Sequence, residues 1–266
     1  MTQAERRMYL IKALLAEQPK YRELSVPEHP AEQKRLLRSL MNVRVPNPIG
    51  RDFLAVQDDY LQEETARKGI TDISDLTPVS EGIYLWQGDM TTLRCDAIVN
   101  AANSAMTGCY VPCHGCIDNC IHTYAGIQLR QECAAIMGRQ KREEEPGTAK
   151  ITGAYNLPCK YVLHTVGPNV SGTPTRRDEQ LLASCYRSCL ELAADNGLES
   201  VAFCCISTGE FHFPHQEAAE IAVNTVTGFL QTPSSIQKVI FNVFRDTDKQ
   251  IYRGLLGSNT AVETAH

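Results

Sequence analysis

Thiol and imidazole side chains are concentrated in one short stretch of this 266-residue chain, GCYVPCHGCIDNCIH at residues 108–122. Within it, Cys109, His114 and Cys116 offer two thiolates and an imidazole over eight residues, a ligand set whose softness suits zinc. No distant CxxC or HxxxH pair stands out to complete a closed four-ligand site. The pattern therefore predicts a catalytic-type zinc with an open coordination position. Two alternatives stay open: a cluster of buried thiols, or Cys113 in place of one of these ligands.

A carboxylate follows these thiols directly. Asp118 comes just before an apolar helical pattern that includes Ile121 and Leu129, so it is a candidate N-cap of that helix. Beside a zinc ion and a bound sugar it is also a candidate general base. The two roles are compatible, because a helix N-terminus both fixes a carboxylate and lowers its pKa.

Polar side chains also follow two predicted strands in GDMTTLRCDAIVNAAN, residues 88–103. Asp89 comes just after the first strand, whereas Asn100 and Asn103 come after the second. A carboxylate at a strand end can accept a hydrogen bond from the amino group of a base, and an amide there can hold a sugar hydroxyl. The alternative is that these residues are turn formers that bond their own backbone.

The segment STGEFHFP, residues 207–214, predicts a phosphate-binding loop without basic residues. Ser207, Thr208 and Gly209 are small enough for a backbone to approach an anion, and a helix beginning near Pro214 offers free N–H groups. Phe211 and Phe213 are candidates to cover a sugar, or are ordinary core residues. The P-loop and nucleophile-elbow patterns are both absent.

The elements that must position these side chains alternate between strands and helices after residue 77. The pattern predicts strands at Ile83–Trp86, Ala97–Val99, Tyr161–Thr165, Val201–Ile206 and Val239–Val243, and helices around Ile121–Met137, Glu179–Ala194, Glu217–Leu230 and Lys249–Leu256. Such alternation is typical of a three-layer α/β/α domain with a mostly parallel central sheet. Ligands of these sheets bind at the carboxyl ends of the strands.

The first 77 residues predict helices instead. Thr2 and Glu5 form a candidate capping box, and apolar residues recur at helical spacing in three stretches separated by prolines. We therefore expect a helical N-terminal extension over residues 1–77 and the α/β domain over residues 78–260.

Composition narrows the function classes. The formal net charge of -5 lies wholly in residues 81–266, where 14 basic residues face 19 acidic ones, so no basic stripe for nucleic acid is visible. No segment approaches the roughly 20 apolar residues of a membrane span, and the N-terminus lacks a signal-peptide core. We expect a cytoplasmic protein with reduced thiols, bound to neither membrane nor nucleic acid.

The order of the motifs GDMTT, DAIVNAAN, CIDNCIH, TAKITGAYNLPCKYVLHTVGP and STGEFHFP resembles the macrodomains, which bind ADP-ribose, over about residues 80–256. MacroD-type hydrolases of that family usually have a glycine-rich loop before the catalytic Asp. Here CYVPCHGC stands in that place, which resembles a zinc-containing microbial branch with a helical N-terminal extension.

The resemblance implies one role for each candidate residue. Asp89 and the backbone of Met90 would bind adenine, with Phe244 flanking it, and Asn103 would hold the distal ribose. The diphosphate and that ribose would be wrapped by the loop residues Ser207, Thr208, Gly209, Glu210 and Phe211. One Zn²⁺ per chain would bind Cys109, His114 and Cys116, with Asp118 and Asn103 as catalytic residues.

The function that follows from the resemblance is zinc-dependent removal of ADP-ribose from mono-ADP-ribosylated proteins. The alternatives are a non-catalytic ADP-ribose reader and a deacetylase of O-acetyl-ADP-ribose. A zinc-organised interaction or nucleic-acid module would need a fourth ligand and a basic face, which the sequence does not offer.

Overall fold

The computed structural model describes residues 1–21 and 23–263. In the described part of the N-terminal extension there are three α-helices, α1 (Gln3–Glu17), α2 (Pro30–Val43) and α3 (Arg51–Lys68). Thr2 caps α1, and the reciprocal bonds of the predicted capping box with Glu5 are both present. The helical extension expected from the sequence is thereby confirmed.

The three helices have a hydrophobic core of their own. Its buried residues are Leu10, Ile11, Leu14, Leu15, Leu37, Leu40, Met41, Phe53, Tyr60, Leu61 and, from the following domain, Ile127. A short parallel pair, β1 (Thr71–Asp72) with β4 (Leu93–Arg94), then joins the chain after α3 to the α/β domain. The extension is therefore packed against that domain, and the boundary between residues 77 and 78 stays a prediction.

Seven strands form the central sheet. They are β2 (Pro78–Ser80), β3 (Ile83–Gln87), β5 (Ala97–Ala102), β6 (Ala149–Gly153), β7 (Tyr161–Val166), β8 (Ser200–Phe203) and β9 (Lys238–Val243). Their spatial order is β2-β3-β9-β8-β5-β7-β6. The five inner strands are parallel, and the two edge strands pair antiparallel. This confirms the predicted mostly parallel sheet, although the two edge strands were not predicted.

Helices cover the sheet as two layers. They are α4 (Ile117–Ala125), α5 (Ile127–Gln140), α6 (Arg176–Asp195), α7 (His215–Leu230) and α8 (Asp246–Glu263). Helix α4 packs against β5, α5 and α2, whereas α6, α7 and α8 pack side by side. The predicted helix Ile121–Met137 is in fact α4 and α5, broken at Gly126, which has φ +98° and would place a Cβ 2.6 Å from Gln57 Nε2. The predicted strand Val201–Ile206 ends at Phe203.

No helix in the described part of the chain combines the length and the apolar character that crossing a membrane requires.

Candidate functional site

The candidate residues lie where the parallel strands end. Strands β3, β5, β8 and β9 run in one direction, so their carboxyl ends meet along one edge of the sheet. Asp89 follows β3, Asn103 follows β5, Ser207 follows β8, and Phe244 is the residue directly after β9. The candidate metal loop, residues 103–116, connects β5 to α4 at the same edge.

The predicted ligands converge within this loop. Cys109 Sγ lies 3.7 Å from His114 Nδ1, and one ligand atom from each of Cys109, His114 and Cys116 lies within 4.8 Å of the others. All three residues are half-buried. Cys116 is also the N-cap of α4, where its Sγ accepts a hydrogen bond from Asn119 N at 3.4 Å. The loop thus presents two sulfurs and one nitrogen to a single point.

The donor chemistry of this point suits zinc. Burial, together with the neighbouring Cys109, raises the pKa of the Cys116 thiol to about 12. A cation reverses such a shift, because a coordinating thiol is deprotonated. The Nε2 atom of His114 is 3.6 Å from Glu210 Oε1, so a carboxylate can hold the second ring nitrogen while Nδ1 faces the sulfurs.

The two other thiols of the segment point elsewhere. Cys113 has a left-handed backbone with φ 54°, and its Sγ lies 3.2 Å from Ser39 Oγ of helix α2. Cys120 lies on α4, with its sulfur 3.6 Å from Arg38 Nη2. The alternative that Cys113 replaces a ligand therefore receives no support from the geometry.

Asp118 lies beside the loop and is 5% exposed. One carboxylate oxygen accepts a hydrogen bond from Asn100 Nδ2 at 2.8 Å, and the other is 3.5 Å from Asn103 Nδ2. Burial raises the pKa of Asp118 to about 6, although the bond from Asn100 and the charge of Arg130 oppose the shift. The carboxylate is held against the amide that sequence analysis assigned to the ribose.

Two details of the predicted neighbourhood were wrong. Asp118 is the second residue of α4 rather than its N-cap, because Cys116 occupies the cap position. Asn100 is a fully buried residue inside β5 rather than a residue after it, so it supports Asp118 from below instead of facing a ligand. Asn103 bonds the local backbone, as in the turn-forming alternative, since its Oδ1 accepts from Ala105 N and its Nδ2 donates to Gly108 O.

Two buried histidines that no sequence pattern assigned to the site, His122 and His164, lie near this carboxylate. His164 Nδ1 is 3.1 Å from Asn100 Nδ2, and its Nε2 is 2.9 Å from Thr152 Oγ1. His122 Nε2 lies 3.5 Å from an Asp118 oxygen, and neither of its ring nitrogens has a hydrogen-bond partner among the described residues. Burial lowers the pKa of His164 to about 3 and that of His122 well below its ordinary value. The spacing of four between Asp118 and His122 was a usable signal, because such residues share a helix face.

The end of the candidate site at Asp89 contains a contact from the extension that no sequence pattern indicated. Lys68, the last residue of α3, donates to Asp89 Oδ2 at 2.9 Å and lies over the Tyr124 ring. Asp89 Oδ1 accepts from the backbone and hydroxyl of Thr91, as in the turn-forming alternative. Burial raises the pKa of Asp89, but the hydrogen bonds from Thr91 and Lys68 outweigh it and the net pKa is lowered. The Met90 side chain is buried in the core, and its backbone carbonyl accepts a hydrogen bond from Leu93 N.

Phe244 is 81% exposed at the end of β9, so its ring is available for stacking.

The loop after β8 has the backbone of an anion cradle. Ser207 adopts φ 63°, and its buried hydroxyl has no hydrogen-bond partner among the described residues. Helix α7 begins at His215 without a side-chain cap. Thr208 is partly buried, Gly209 and Glu210 are exposed, and Phe211 packs against the small buried cluster of Ala102, Met106 and Val166. Phe213 is 1% exposed and belongs to the core, so only Phe211 is placed to contact a ligand.

Comparison with known proteins identifies the family. The macro domain family model matches residues 99–222. A protein-ADP-ribose hydrolase of Treponema medium is 58% identical over 260 residues, covering 96% of this chain and 100% of that protein. A protein-ADP-ribose hydrolase of Staphylococcus aureus strain MSSA476 is 50% identical, covering 92% of each chain.

Solved structures agree with these matches. The macrodomain of Trypanosoma brucei in complex with ADP-ribose has a TM-score of 0.65 and 30% identity, covering 87% of this chain and 97% of that one. The macrodomain of Oceanobacillus iheyensis with ADP has a TM-score of 0.62 and 33% identity, covering 70% of this chain and 96% of that one. The sequence, the parallel sheet and the site at its carboxyl edge lead to one conclusion: the chain belongs to the macrodomain family.

Proposed function

We propose that this chain is a protein-ADP-ribose hydrolase that uses zinc to remove ADP-ribose from mono-ADP-ribosylated proteins. The observation that carries the proposal is the convergence of Cys109, His114 and Cys116 next to the paired Asp118 and Asn103. Hydrolases of that name align with the chain over almost its whole length, which supports the reaction class. The extension then covers residues 1–77 and the ADP-ribose-binding domain residues 78–260.

ADP-ribose would lie along the carboxyl edge of the sheet. Asp89 and the Met90 backbone bind adenine in this proposal, with Phe244 flanking the base. The diphosphate lies in the loop of Ser207, Thr208, Gly209, Glu210 and Phe211, near the uncapped start of α7. This arrangement uses backbone N–H groups and a helix dipole, which agrees with the acidic balance of residues 81–266.

One Zn²⁺ per chain would be held by Cys109, His114 and Cys116, with the Glu210 carboxylate 3.6 Å from the His114 ring. Three protein ligands leave a coordination position open, and an ion held in this way supplies Lewis-acid polarisation of an oxygen atom.

The remaining chemistry belongs to the side chains. Asn103 orients the distal ribose, since its amide lies between the Gly108 carbonyl and Asp118. Asp118 accepts a proton from the water that replaces the protein side chain on the ribose. Attack on the ribose carbon gives the water hydroxyl to the ribose and the proton to the leaving side chain. Attack on an acyl group gives the hydroxyl to the acyl carbon and the proton to the leaving ribose oxygen. Asn100 keeps the carboxylate oriented, because its amide donates to both Asp118 and His164.

A cytoplasmic location belongs to the same proposal. All eleven cysteines are free thiols, which is typical of a reducing compartment.

The test is release of ADP-ribose from mono-ADP-ribosylated proteins of several linkage types, and of acetate from O-acetyl-ADP-ribose, with and without a zinc chelator. We expect release from a protein substrate, its loss with chelator, and about one zinc per purified chain. Cys116→Ser should abolish both metal and turnover, whereas the matched control Cys113→Ser should retain both. Tight binding of ADP-ribose without any turnover would instead establish a reader, and acetate release alone would establish the deacetylase.

A further inference from the structure

Helix α2 of the extension contacts the metal loop directly. The proposed hydrolase mechanism assigns no role to these contacts. The loop between β5 and α4 has no regular secondary structure from residue 103 to residue 116. A loop of this kind holds three ligands at one point only if its surroundings restrain it, because each free backbone residue has substantial conformational entropy. The restraints come from the extension and from two side chains of the α/β domain.

Arg38 is the central contact. Its Nη2 donates to the His114 carbonyl at 2.7 Å and to Asn119 Oδ1 at 2.8 Å. The guanidinium therefore joins the backbone of one ligand residue to the first turns of α4, the helix that Cys116 caps. A planar guanidinium can hold two acceptors in fixed directions, which a lysine ammonium does not do as rigidly.

Asn119 extends this connection to the other two ligands. It is fully buried, and its Nδ2 donates to the Val111 carbonyl at 2.9 Å and the Cys109 carbonyl at 3.4 Å. Its backbone N–H donates to Cys116 Sγ. Arg38 is therefore connected through Asn119 to Cys109 and Cys116, in addition to its direct bond to His114.

A second set of bonds from α2 restrains Cys113. The left-handed conformation of this non-glycine residue is costly and persists only where neighbours impose it. Asn42 Oδ1 accepts from Cys113 N at 2.9 Å, and Ser39 Oγ lies 3.2 Å from its sulfur. These bonds place the turn that precedes His114.

Arg130 of α5 completes the link from the opposite side. Its Nη1 donates to the carbonyls of Asn42 and Arg44 at 2.7 Å each, at the end of α2. Its Nη2 donates to the Cys109 carbonyl at 3.3 Å. The end of the extension helix and a metal-ligand residue thus share one buried cation.

From this network we infer that helix α2 is part of the metal site, with Arg38 as a positioning residue that holds the ligand loop in its binding conformation. The inference rests on the proposed zinc-dependent function. It assigns the extension a role in catalysis through the loop, rather than a role as a separate module.

The experiment compares Arg38→Met and Arg38→Lys with the matched control Arg35→Met, one helical turn earlier on α2, where no side-chain bond is formed among the described residues. Zinc release from the loaded full-length proteins to a colorimetric chelator is timed. Amide hydrogen exchange of residues 109–116 is measured on the metal-free proteins, with exchange in β5 and β7 as the check of folding. ADP-ribose affinity is measured by calorimetry.

We expect Arg38→Met to release zinc about 10- to 100-fold faster and to exchange the loop amides at least about ten-fold faster. Arg38→Lys should release zinc and exchange the loop amides at rates between those of Arg38→Met and the wild type, and Arg35→Met should have the wild-type rates. ADP-ribose affinity should change less than about three-fold, because Arg38 lies outside the proposed ligand groove.

Release and exchange at wild-type rates in Arg38→Met would overturn the inference. If Arg38→Met fails to fold, Arg38→Lys decides, and wild-type behaviour there overturns the inference equally. Absence of zinc from the wild-type protein would refute the metal in the proposed function. Amide hydrogen exchange of residues 109–116 in the metal-free proteins would still show whether Arg38 positions the loop.

Discussion

Lowering the pH from 7 to 5 should destabilise the fold through His164, the buried histidine beneath the proposed catalytic carboxylate. Its Nδ1 accepts from the Asn100 amide and its Nε2 pairs with Thr152, so the neutral ring is satisfied. A proton on Nδ1 would oppose the Asn100 N–H groups. Burial lowers the pKa of His164 to about 3, against about 6.5 in the unfolded chain. The unfolded state therefore binds more protons between these values, and stability is full above pH 6.5 and falls as the pH decreases.

The magnitude follows from the shift. Each pH unit inside this window removes about 1.4 kcal/mol of unfolding free energy, so the decrease from pH 7 to pH 5 removes about 2 kcal/mol. The variant His164→Gln has no group that titrates there. The difference in stability between wild type and variant should therefore shrink by about 2 kcal/mol over the same pH change, since contributions of Asp118, His122 and other groups occur in both proteins.

The assay is urea unfolding of the chelator-treated proteins at pH 7 and pH 5, analysed by linear extrapolation. A difference between the two proteins that stays constant with pH would refute the reasoning. It would mean that His164 titrates alike in the folded and unfolded chains, and that the Asn100–His164 bond does not depend on a neutral ring.

Three further predictions concern the site itself. Asp118→Asn should lower single-turnover hydrolysis about 100-fold or more with unchanged ADP-ribose affinity, because the amide cannot accept the proton; turnover at the wild-type rate would remove Asp118 from the mechanism. Asp89→Ala should weaken ADP-ribose binding by about 1 to 2 kcal/mol in calorimetry and leave ribose phosphate binding unaffected; equal losses for both ligands would contradict an adenine contact. Gly108→Ala should lower the unfolding free energy by about 1 to 3 kcal/mol, because at φ +85° its Cβ would meet the buried His122 ring at 2.7 Å. Thermal unfolding measures this loss of stability. The control Gly115→Ala has open space around the added Cβ and should show no loss of stability in the same measurement.

The helices and strands of the fold could be predicted from the sequence wherever a local residue pattern indicates them. Buried parallel strands such as β8 contain continuous apolar runs, here Val201–Phe203, and the capping box at Thr2 is a contact over three residues. The edge strands β2 and β6 escaped detection because β2 has only three residues and β6 is half-exposed along most of its length. The break at Gly126 escaped for a similar reason, since a glycine within an apolar helical pattern does not by itself end a helix.

The sequence by itself determined which side chains are available for chemistry: the types and spacing of Cys109, His114 and Cys116 predict a zinc ligand set, and Ser207–Gly209 predict a loop that an anion can approach. Local spacing suffices for these features because each lies within one loop. Only the tertiary structure decided how they are supported. Arg38 is 76 residues from His114, whose carbonyl it binds. His164 is 64 residues from Asn100, and Lys68 reaches Asp89 from another helix. Contacts of this kind depend on how strands and helices pack, and a polar residue carries no local mark of the partner that packing will bring to it.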